Sequence, residues 1–388
     1  MNIIIDVTRL VRRLAKKRML TGIDRVSMAY VQHYEDTARA LVRWSGRSWV
    51  LSSSQSKALF LWLVTPGSQL ALMRIIVMGI LSNRALNNNK DTFLLNTGHI
   101  GLGQSDYLRM VRTRQVKPIF FVHDLIPISY PEYSNPGEDI RYKEKMNYIL
   151  ALASGVITNS EATHQDLVQY AQQTNQSMRP AQVALLAPGV VFAAPGPRPI
   201  DKPYFVILST IEPRKNHLLL LQIWRSLVQR LGDETPHLVV IGQRGWECEN
   251  VLDLLDRSQF LKGVVTEISH CQDSDLVTYI RHSQALLMPS FIEGYGLPLI
   301  EALTMGTPVI ASDIPVFREV AGDVAEYADP LDGKRWEELI LDYAKSDSVH
   351  RAAQLRRIQT FKQPTWDEHF TKVDSFLLEL LEHHQPNH

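Results

Sequence analysis

The chain contains few cysteines, no excess of charge of either sign and no long hydrophobic run. Its two cysteines, Cys248 and Cys271, lack metal-ligand spacing, which excludes a disulfide scaffold and favours a reducing compartment. The formal net charge of +0 argues against a dedicated nucleic-acid binder. The most hydrophobic stretch, residues 58–81, is interrupted by Pro66-Gly67, so we expect no helix that spans a membrane.

The N-terminus also lacks the pattern of a secretory signal. Asn2–Asp6 is a short apolar run that ends in an acid, whereas a signal peptide has a longer apolar core. We therefore expect a cytoplasmic protein. With 388 residues, of which 45% are hydrophobic and 21% charged, the chain is expected to form a globular protein of two domains.

Two blocks of alternating strand and helix follow one another along the chain. Apolar runs typical of buried strands occur at residues 3–7, 40–44, 93–96, 117–122, 155–159 and 183–186, and again at 204–208, 237–241, 263–268, 285–288 and 308–311. The proline-rich segment 193–203 separates the blocks. This alternation predicts an α/β protein with two doubly wound parallel sheets. We predict an N-terminal domain (1–198), a C-terminal domain (199–362) and a C-terminal helix (363–388) that packs back on the N-terminal domain.

The stretch 289–301 places two carboxylates beside a glycine-rich turn. It follows a short apolar strand and leads into a helical pattern at 299–305, with Pro298 near the first turn. Backbone N–H groups of such a turn bind anions, and the helix dipole favours negative charge there. Because Glu293 and Glu301 would repel an isolated phosphate, the turn predicts a ligand with phosphates at one end and hydroxyls elsewhere, which indicates a nucleotide sugar.

Cations follow the strands of the same predicted sheet. Arg214 and Lys215 come after the first strand of the second block, and Arg244 comes after the next. Because the carboxyl ends of parallel strands share one edge, Arg214 and Lys215 are expected to neutralise a diphosphate while Glu301 accepts hydrogen bonds from hydroxyls. The alternative is a solvated basic loop, which is the commoner explanation of two adjacent charges.

The first block offers fewer candidates. His123 and Asp124 end the strand 117–122, where ligands bind in open α/β sheets, although a histidine that is hydrogen-bonded into a loop is the alternative. Gly22 precedes a helical pattern, where a glycine either admits a phosphate or ends a loop.

The motifs of both blocks resemble those of retaining family-4-type (group 1) glycosyltransferases with the GT-B fold, and mannosyltransferases in particular. The resemblance covers nearly the whole chain, is firmest from 204 to 330 and is weakest from 45 to 90. The matching segments are 21–25, 123–127, 212–216, 242–246, 275–276, 285–290, 293–302 and 306–310.

The resemblance implies a role for each matching residue. The implied catalytic residues are His123, Glu293, Lys215 and Arg214. The implied donor-binding residues are Gly22, Arg214, Lys215, Arg244, Glu293, Gly294, Tyr295, Gly296, Leu297 and Glu301. The implied acceptor-binding residues are Asp124 and Arg25. Many relatives carry a basic group near Ser209, which is a neutral position here, so the diphosphate would depend more on Arg214 and Lys215.

The expected chemistry follows from the charge that develops. Cleavage of the anomeric bond builds negative charge on the departing diphosphate, which fixed cations and N–H dipoles stabilise. The sequence has no Asp-x-Asp metal motif in a suitable loop, so we expect no metal and no other cofactor. The resemblance implies a same-face mechanism, in which Glu293 positions the sugar instead of forming the covalent intermediate of a retaining glycosidase.

We predict retaining transfer of a hexose, with mannose from GDP-mannose as the best candidate, to a lipid-linked or oligosaccharide acceptor in bacterial surface polysaccharide biosynthesis. One alternative is a UDP- or dTDP-sugar donor. A nucleotide-sugar 2-epimerase is another, which would need further acid/base carboxylates. A non-catalytic nucleotide-sugar-binding subunit is the third, against which the intact Lys215, Glu293 and Glu301 argue.

A basic segment near the N-terminus favours contact with a membrane. Between residues 9 and 18, apolar residues alternate with Arg9, Arg12, Arg13, Lys16, Lys17 and Arg18, a pattern that attracts anionic lipid. Residues 58–81 add apolar surface nearby in the sequence. The alternative is a solvated face with ordinary core helices. We expect the protein at the inner face of the cytoplasmic membrane, with no nucleic-acid partner.

Overall fold

Two compact units make up the chain. The structure, a computed structural model, describes residues 1–18, 20–44, 46–81, 91–99, 101–102, 105–189 and 194–382. The first unit comprises Met1–Ile128, Gly137–Leu186 and Thr365–His388, and the second comprises Ser129–Pro136 and Ala187–Pro364. The second unit thus begins upstream of the boundary predicted after residue 198. Residues 383–388 of the predicted C-terminal helix and residue 193 of the proline-rich segment lie outside the described residues.

Each unit is built on its own sheet. The described strands are β1 (Asn2–Asp6), β2 (Ala38–Trp44), β3 (Arg47–Val50), β4 (Thr92–Asn96), β5 (Lys117–Val122), β6 (Gly155–Thr158), β7 (Ala181–Val183), β8 (Tyr204–Leu208), β9 (His237–Ile241), β10 (Val265–Ile268), β11 (Leu286–Met288), β12 (Val309–Ser312) and β13 (Glu326–Ala328). Their order is β3-β2-β1-β4-β5-β6-β7 in the first sheet and β10-β9-β8-β11-β12-β13 in the second. Among these strands, β3 pairs antiparallel with β2 and the other neighbours are parallel.

Helices connect the strands of both sheets. The described helices are α1 (Thr8–Ala15), α2 (Gly22–His33), α3 (Ser53–Val64), α4 (Gln69–Leu81), α5 (Ser105–Arg114), α6 (Ile126–Ser129), α7 (Glu138–Leu152), α8 (Glu161–Gln173), α9 (His217–Leu231), α10 (Glu249–Arg257), α11 (Asp273–His282), α12 (Leu297–Thr304), α13 (Pro315–Ala321), α14 (Gly333–Ala344), α15 (Val349–Ile358) and α16 (Trp366–Glu382). Within the described ranges, no helix combines the length and apolar character needed to cross a bilayer.

The apolar runs of the sequence become the buried centres of the sheets. In β1, Ile4 is 1% exposed and Ile5 is 0% exposed, and β5 and β8 are similarly buried. Continuous apolar strands of this kind occur where helices cover both faces of a parallel sheet. The two doubly wound sheets that the alternation predicts are thereby confirmed.

The C-terminal helix α16 packs within the first unit. Its His369 Nε2 lies 3.0 Å from the hydroxyl of Tyr30 on α2, and Tyr34 donates a 2.6 Å hydrogen bond to Asp374. A Cβ at Gly155 would lie only 2.8 Å from the ring of Phe376. Because glycine leaves this space, α16 can lie close to β6. The hydrogen bonds of α16 to Tyr30 and Tyr34 also hold α2, the helix that begins at Gly22.

Candidate functional site

Two loops at the carboxyl end of the second sheet are joined by backbone hydrogen bonds. Ile211, after β8, bonds to Gln243 at 2.9 Å and to Gly245 at 3.1 Å, both after β9. A side chain at Gly242, where φ is +150°, would collide with the backbone of the first loop, so this close approach requires glycine. The pairing fixes the course of the first loop, which continues into a 3-10 turn at Pro213–Lys215.

Glu293 lies at the centre of a cluster of charged side chains on these loops. Its carboxylate lies 2.5 Å from Lys215 Nζ and 2.9 Å from Arg214 Nη1, and it accepts a 2.8 Å hydrogen bond from Ser290 Oγ. Arg214 Nε also lies 3.2 Å from Glu212 Oε2. The structure therefore brings together Arg214, Lys215 and Glu293, as predicted, and it adds a second carboxylate that the sequence analysis did not assign.

Burial and charge act in opposite directions on Glu293. Its side chain is 7% exposed, and this burial raises the pKa of Glu293. The charges of Lys215 and Arg214, with the hydrogen bonds from Lys215 and Ser290, outweigh burial and lower the pKa of Glu293 to about 2. Glu293 is therefore a carboxylate at neutral pH. An ionised group accepts hydrogen bonds from sugar hydroxyls but does not donate a proton, which suits a positioning role.

Burial and neighbouring charges also act in opposite directions on the pKa of Lys215. Burial and the adjacent charge of Arg214 lower the pKa of Lys215, while Glu293 and Glu212 act to raise it. An incoming diphosphate would favour the charged form of Lys215, as Glu293 does in this structure. The cluster thus holds two cations close together through carboxylates that an anionic ligand can partly replace.

The glycine-rich turn leads directly into α12. Gly296 has a φ of +99°, and a Cβ there would lie 2.6 Å from the ring of Phe317, so the turn requires glycine at this position. The helix begins at Leu297, slightly earlier than predicted, with Pro298 in its first turn. Pro298 has no N–H group, and the N–H groups of Leu299 and Ile300 bond to the Gly296 carbonyl at 3.0 and 3.5 Å. The helix dipole still favours negative charge at this N-terminus.

Glu301 lies one turn into α12 and is almost completely buried. It is 3% exposed, and its Oε1 accepts a 3.2 Å hydrogen bond from the backbone N–H of Gly189. Gly294 and Tyr295 lie between Glu293 and the helix, and Tyr295 is buried. The predicted donor-binding residues from 293 to 301 therefore follow one another through the turn and the first part of α12.

Arg244 differs from the other predicted donor-binding cations. Its guanidinium group donates a 2.8 Å hydrogen bond from Nε to Glu267 Oε1 and hydrogen bonds of 2.5 and 3.0 Å to Asp256. Two carboxylates therefore already bind the side chain at an exposed position, and a diphosphate would have to displace them. The implied role of Arg244 in donor binding stays a prediction, and we expect its contribution to be small because a diphosphate would compete with Asp256 and Glu267.

Asn216 is a positioning residue to which the sequence analysis assigned no role. It has a left-handed φ of 56°, a conformation that asparagine tolerates better than most residues. Its side-chain amide donates to Pro289 O at 3.1 Å and to Pro330 O at 2.9 Å. Asn216 therefore ties the turn of Arg214 and Lys215 to the end of β11. In the sequence, the available signal for this role was an asparagine placed between a short turn and a helix.

A short segment of the second unit contacts the Glu293 loop from a distant part of the sequence. Within Ser129–Pro136, Tyr133 stacks on Phe291, with ring centroids 5.6 Å apart and planes 3° apart. Phe291 N also donates a 2.9 Å hydrogen bond to Arg214 O. Tyr133 thus supports the loop that carries the ion cluster. Sequence patterns did not predict this contact, because the segment is far from the loop along the chain.

Gly22, Arg25, His123 and Asp124 belong to the first unit. Gly22 is exposed as the first residue of α2, and Arg25 lies in the first turn of the same helix. Near them, the fully buried Asp24 has its carboxylate 2.7 Å from Arg9 Nε and 2.8 Å from Arg13 Nε. Two cations of the basic N-terminal segment therefore stabilise a buried acid.

His123 is buried at the end of β5. Its Nε2 donates a 2.7 Å hydrogen bond to Thr97 O, and its own carbonyl accepts a 2.9 Å hydrogen bond from Asn159. Burial lowers the pKa of His123 to about 4, so the ring is neutral at pH 7. Asp124 caps the following turn, with Oδ1 accepting a 3.1 Å hydrogen bond from Ile126 N. A neutral, fixed imidazole suits hydrogen bonding to a ligand more than proton transfer near neutral pH.

His99, which sequence reasoning did not select, lies beside His123. The two ring centroids are 5.5 Å apart, and His99 Nε2 donates to the backbone carbonyl of Phe121. Burial and the neighbouring His123 lower the pKa of His99 to about 3. The Thr-Gly-His sequence at the end of β4 was the available signal, since polar residues at the carboxyl ends of parallel strands often contact ligands.

Comparison with known proteins relates the chain to glycosyltransferases. Residues 193–355 match the family model described as glycosyl transferases group 1. The chain is 28% identical over 376 residues to O-antigen chain mannosyltransferase B of Escherichia coli, covering 92% of this chain and 96% of that protein. It is 33% identical over 140 residues to O-antigen chain mannosyltransferase RfbU of Salmonella typhimurium, covering 35% of this chain and 37% of that protein.

Solved structures agree on the fold. The chain superposes on Alr3699/HepE of Anabaena, in complex with UDP and glucose, with a TM-score of 0.65 and 14% identity over 99% of each chain. Sucrose-phosphate synthase of Thermosynechococcus elongatus gives a TM-score of 0.65 and 14% identity, covering 99% of this chain and 100% of that one. The family match contains Arg214, Lys215, Glu293 and Glu301. The chain therefore has the GT-B fold, and its residues 193–355 form a group 1 glycosyltransferase domain, as the sequence motifs predict.

Proposed function

We propose that the protein transfers mannose, with retention, from GDP-mannose to an oligosaccharide or lipid-linked acceptor in the assembly of a bacterial surface polysaccharide. The observation that carries the proposal is the cluster of Arg214, Lys215 and Glu293 at the head of α12. Support for mannose comes from the similarity to an O-antigen mannosyltransferase along 92% of the chain.

In this proposal, each residue of the cluster acts on one part of the donor. Lys215 and Arg214 bind the diphosphate and stabilise the negative charge that it gains as the anomeric bond breaks. Glu293, ionised in this structure, accepts hydrogen bonds from the donor sugar and holds its reacting carbon in place. Glu301 accepts hydrogen bonds from the ribose hydroxyls. The departing diphosphate takes the proton of the acceptor hydroxyl on the same face.

The proposed transfer uses no metal, because two fixed cations and the N-terminus of α12 supply the positive charge that a metal would supply elsewhere. The test is to measure transfer before and after treatment with a chelator and after addition of magnesium or manganese. Unchanged turnover in all arms is expected. Loss of activity on chelation, with recovery on addition of a metal ion, would contradict a metal-free mechanism.

The donor is tested by mixing the protein with GDP-mannose, UDP-glucose and a dTDP-sugar and measuring thermal stabilisation, followed by transfer to a mannose-terminated oligosaccharide. GDP-mannose is expected to stabilise the protein most, and NMR of the product should show an α-anomeric linkage. A UDP-sugar is the second candidate, because a structural relative was crystallised with UDP and glucose. Epimerised free sugar without a new glycosidic bond would indicate an epimerase, and absence of stabilisation by every donor would reject the transferase proposal.

We also propose that the reaction takes place at the inner face of the cytoplasmic membrane. The physical reason is that a lipid-linked acceptor presents its glycan at the bilayer surface, and a protein bound there encounters it in two dimensions. Fractionation of cells that express the protein is the direct test. Recovery of all protein in the high-speed supernatant at low salt would contradict this location.

A further inference from the structure

One face of α4 is apolar and exposed, although the helix is too short to span a membrane. The exposed side chains are Leu70, Met73, Arg74, Val77 and Met78, which we call the α4 face. They recur at intervals of three and four residues, and thus lie on one side of a helix. Met73 is 62% exposed and Val77 is 49% exposed. At 1.5 Å per residue, α4 is about 20 Å long, less than the hydrocarbon thickness of a bilayer.

The opposite side of α4 packs against the core of the first unit. Leu72 is 5% exposed, and a Cβ at Gly79 would lie 2.5 Å from Leu51 Cδ2. Glycine at position 79 therefore allows α4 to approach the end of β3 closely. The orientation of the helix is fixed by this packing, so the exposed α4 face is a stable feature of the surface.

An apolar groove runs beside the α4 face. It has a volume of about 370 Å³ and lies between α1, α4 and the β2–β3 hairpin, and its lining includes Val11, Trp44, Trp49, Met73 and Val77. Trp44 is itself 63% exposed. Tryptophan is favoured where an apolar ring can enter a bilayer while its N–H group stays at the water interface. The groove and the α4 face form one continuous apolar surface, because Met73 and Val77 belong to both.

The charged side chains that line this surface are arginines. Between Asp36 and Asp91, the sequence contains no aspartate or glutamate. Arg12 lines the groove, and Arg74 lies on the α4 face. Surface lysines and arginines attract anionic lipid by about 1 kcal/mol each. An acidic or mixed-charge protein partner would find no carboxylate in this stretch to bind its basic residues, whereas an anionic bilayer needs none.

We infer that the α4 face and the adjoining groove dock the protein on an anionic lipid bilayer, with α4 lying parallel to the surface at the level of the headgroups. Met73, Val77 and Trp44 then enter the apolar boundary, while Arg12 and Arg74 contact lipid phosphates. The inference deepens the membrane contact of the proposed function, but it does not depend on the donor sugar. It also centres that contact on α4, with Arg12 as the contribution of the basic N-terminal segment, in which Arg9 and Arg13 are bound to Asp24.

The test compares two double variants that change charge equally. Met73→Asp with Val77→Asp alters the α4 face, and Leu331→Asp with Val349→Asp alters two exposed apolar residues of the second unit (79% and 73% exposed). Binding to vesicles of phosphatidylglycerol and phosphatidylcholine is measured by flotation. The wild type and the control pair should bind, and the α4 pair should partition at least ~10-fold more weakly, because burial of two such side chains is lost.

Three further results would overturn the inference. They are equal weakening in the control pair, equal binding of the wild type to purely zwitterionic vesicles, and absence of binding by the wild type to any vesicle. A wild-type dimer in sedimentation that the α4 pair converts to monomer, without vesicle binding, would show that a second copy occupies the surface. Thermal stabilisation by GDP-mannose is measured for the wild type and for both pairs. Its absence in the wild type would reject the proposed donor while leaving the vesicle result valid.

Discussion

The two units hold their candidate residues by opposite electrostatic means. In the second unit, Glu293 stays charged because Lys215 and Arg214 outweigh the effect of burial. In the first unit, His123 is neutral because burial is not outweighed by any carboxylate, and its pKa falls to about 4. The difference indicates that the second unit is prepared to bind an anion with compensating charges. The first unit instead holds a neutral, buried imidazole that is hydrogen-bonded to the backbone, and a neutral group of this kind suits a sugar hydroxyl.

The largest effect is expected from removal of the central cation. Lys215→Ala should lower kcat for mannosyl transfer ~10²–10³-fold, because a fixed charge aimed at the leaving group is lost. Arg244→Ala is the matched control, since Arg244 follows a neighbouring strand but binds Asp256 and Glu267. We expect Arg244→Ala to retain most of the activity. Equal losses in the two variants would show that Lys215 contributes only to the general charge of the sheet edge.

Glu293→Gln should separate binding of the nucleotide from catalysis. Without the carboxylate, Lys215 and Arg214 are free to bind phosphate, so the affinity for GDP should increase about 10-fold. Turnover should nevertheless fall ~10–100-fold, since the sugar loses a fixed acceptor of hydrogen bonds. Calorimetry and initial rates measure the two effects. Unchanged turnover, or a glycosylated Glu293 trapped in the wild type, would contradict the positioning role.

As the pH falls, the first unit should lose stability at a higher pH than the second. Burial lowers the pKa of His123 and of His369 to about 4, and that of His99 to about 3. Among the described residues of the second unit, one fully buried histidine, His217, has a comparable shift of its pKa. Their neutral forms contribute stability above pH 6.5 that is lost as pH falls toward the folded pKa. At pH 5, each costs about 2 kcal/mol. The Glu293 contribution is lost only below about pH 4.5, as pH falls toward 2.

Hydrogen-exchange mass spectrometry, corrected for intrinsic rates, distinguishes the two units at pH 7 and pH 5. Peptides from β5 and α16 should lose more protection at pH 5 than peptides from β8 and β12. His369→Gln should reduce the difference, because glutamine does not titrate. Equal loss of protection in both units would show that the buried histidines do not govern the acid response.

The smallest effect is expected at Asn216. Asn216→Ala removes two hydrogen bonds to Pro289 and Pro330 and places alanine at a positive φ. We expect a loss of about 2 kcal/mol of unfolding free energy. Asn216→Gly, which tolerates that φ, should recover part of it, as thermal unfolding can show. An equal loss in both variants would mean that backbone conformation contributes little there.

The sequence was sufficient for the fold and for the charged half of the site. The alternation of apolar runs predicts both parallel sheets, and the ends of parallel strands converge on one edge. Arg214, Lys215 and Glu293 could therefore be placed together before any distance was known. Prediction succeeded where residue order along the strands determines spatial proximity.

Sequence reasoning did not identify features that depend on individual side-chain contacts. The pairing of Arg9 and Arg13 with Asp24 is invisible in a pattern that shows only a basic segment. The stacking of Tyr133 on Phe291 joins segments that are distant in the chain. These contacts are set by packing between elements, for which no local periodicity carries a signal.

The most direct test of the central claim is titration of GDP-mannose into the wild type, Lys215→Ala and Arg244→Ala by isothermal calorimetry. We predict saturable binding to the wild type, at least ~10-fold weaker binding to Lys215→Ala and nearly unchanged binding to Arg244→Ala. Wild-type affinity in Lys215→Ala would contradict the claim that the cluster of Arg214, Lys215 and Glu293 binds the donor diphosphate.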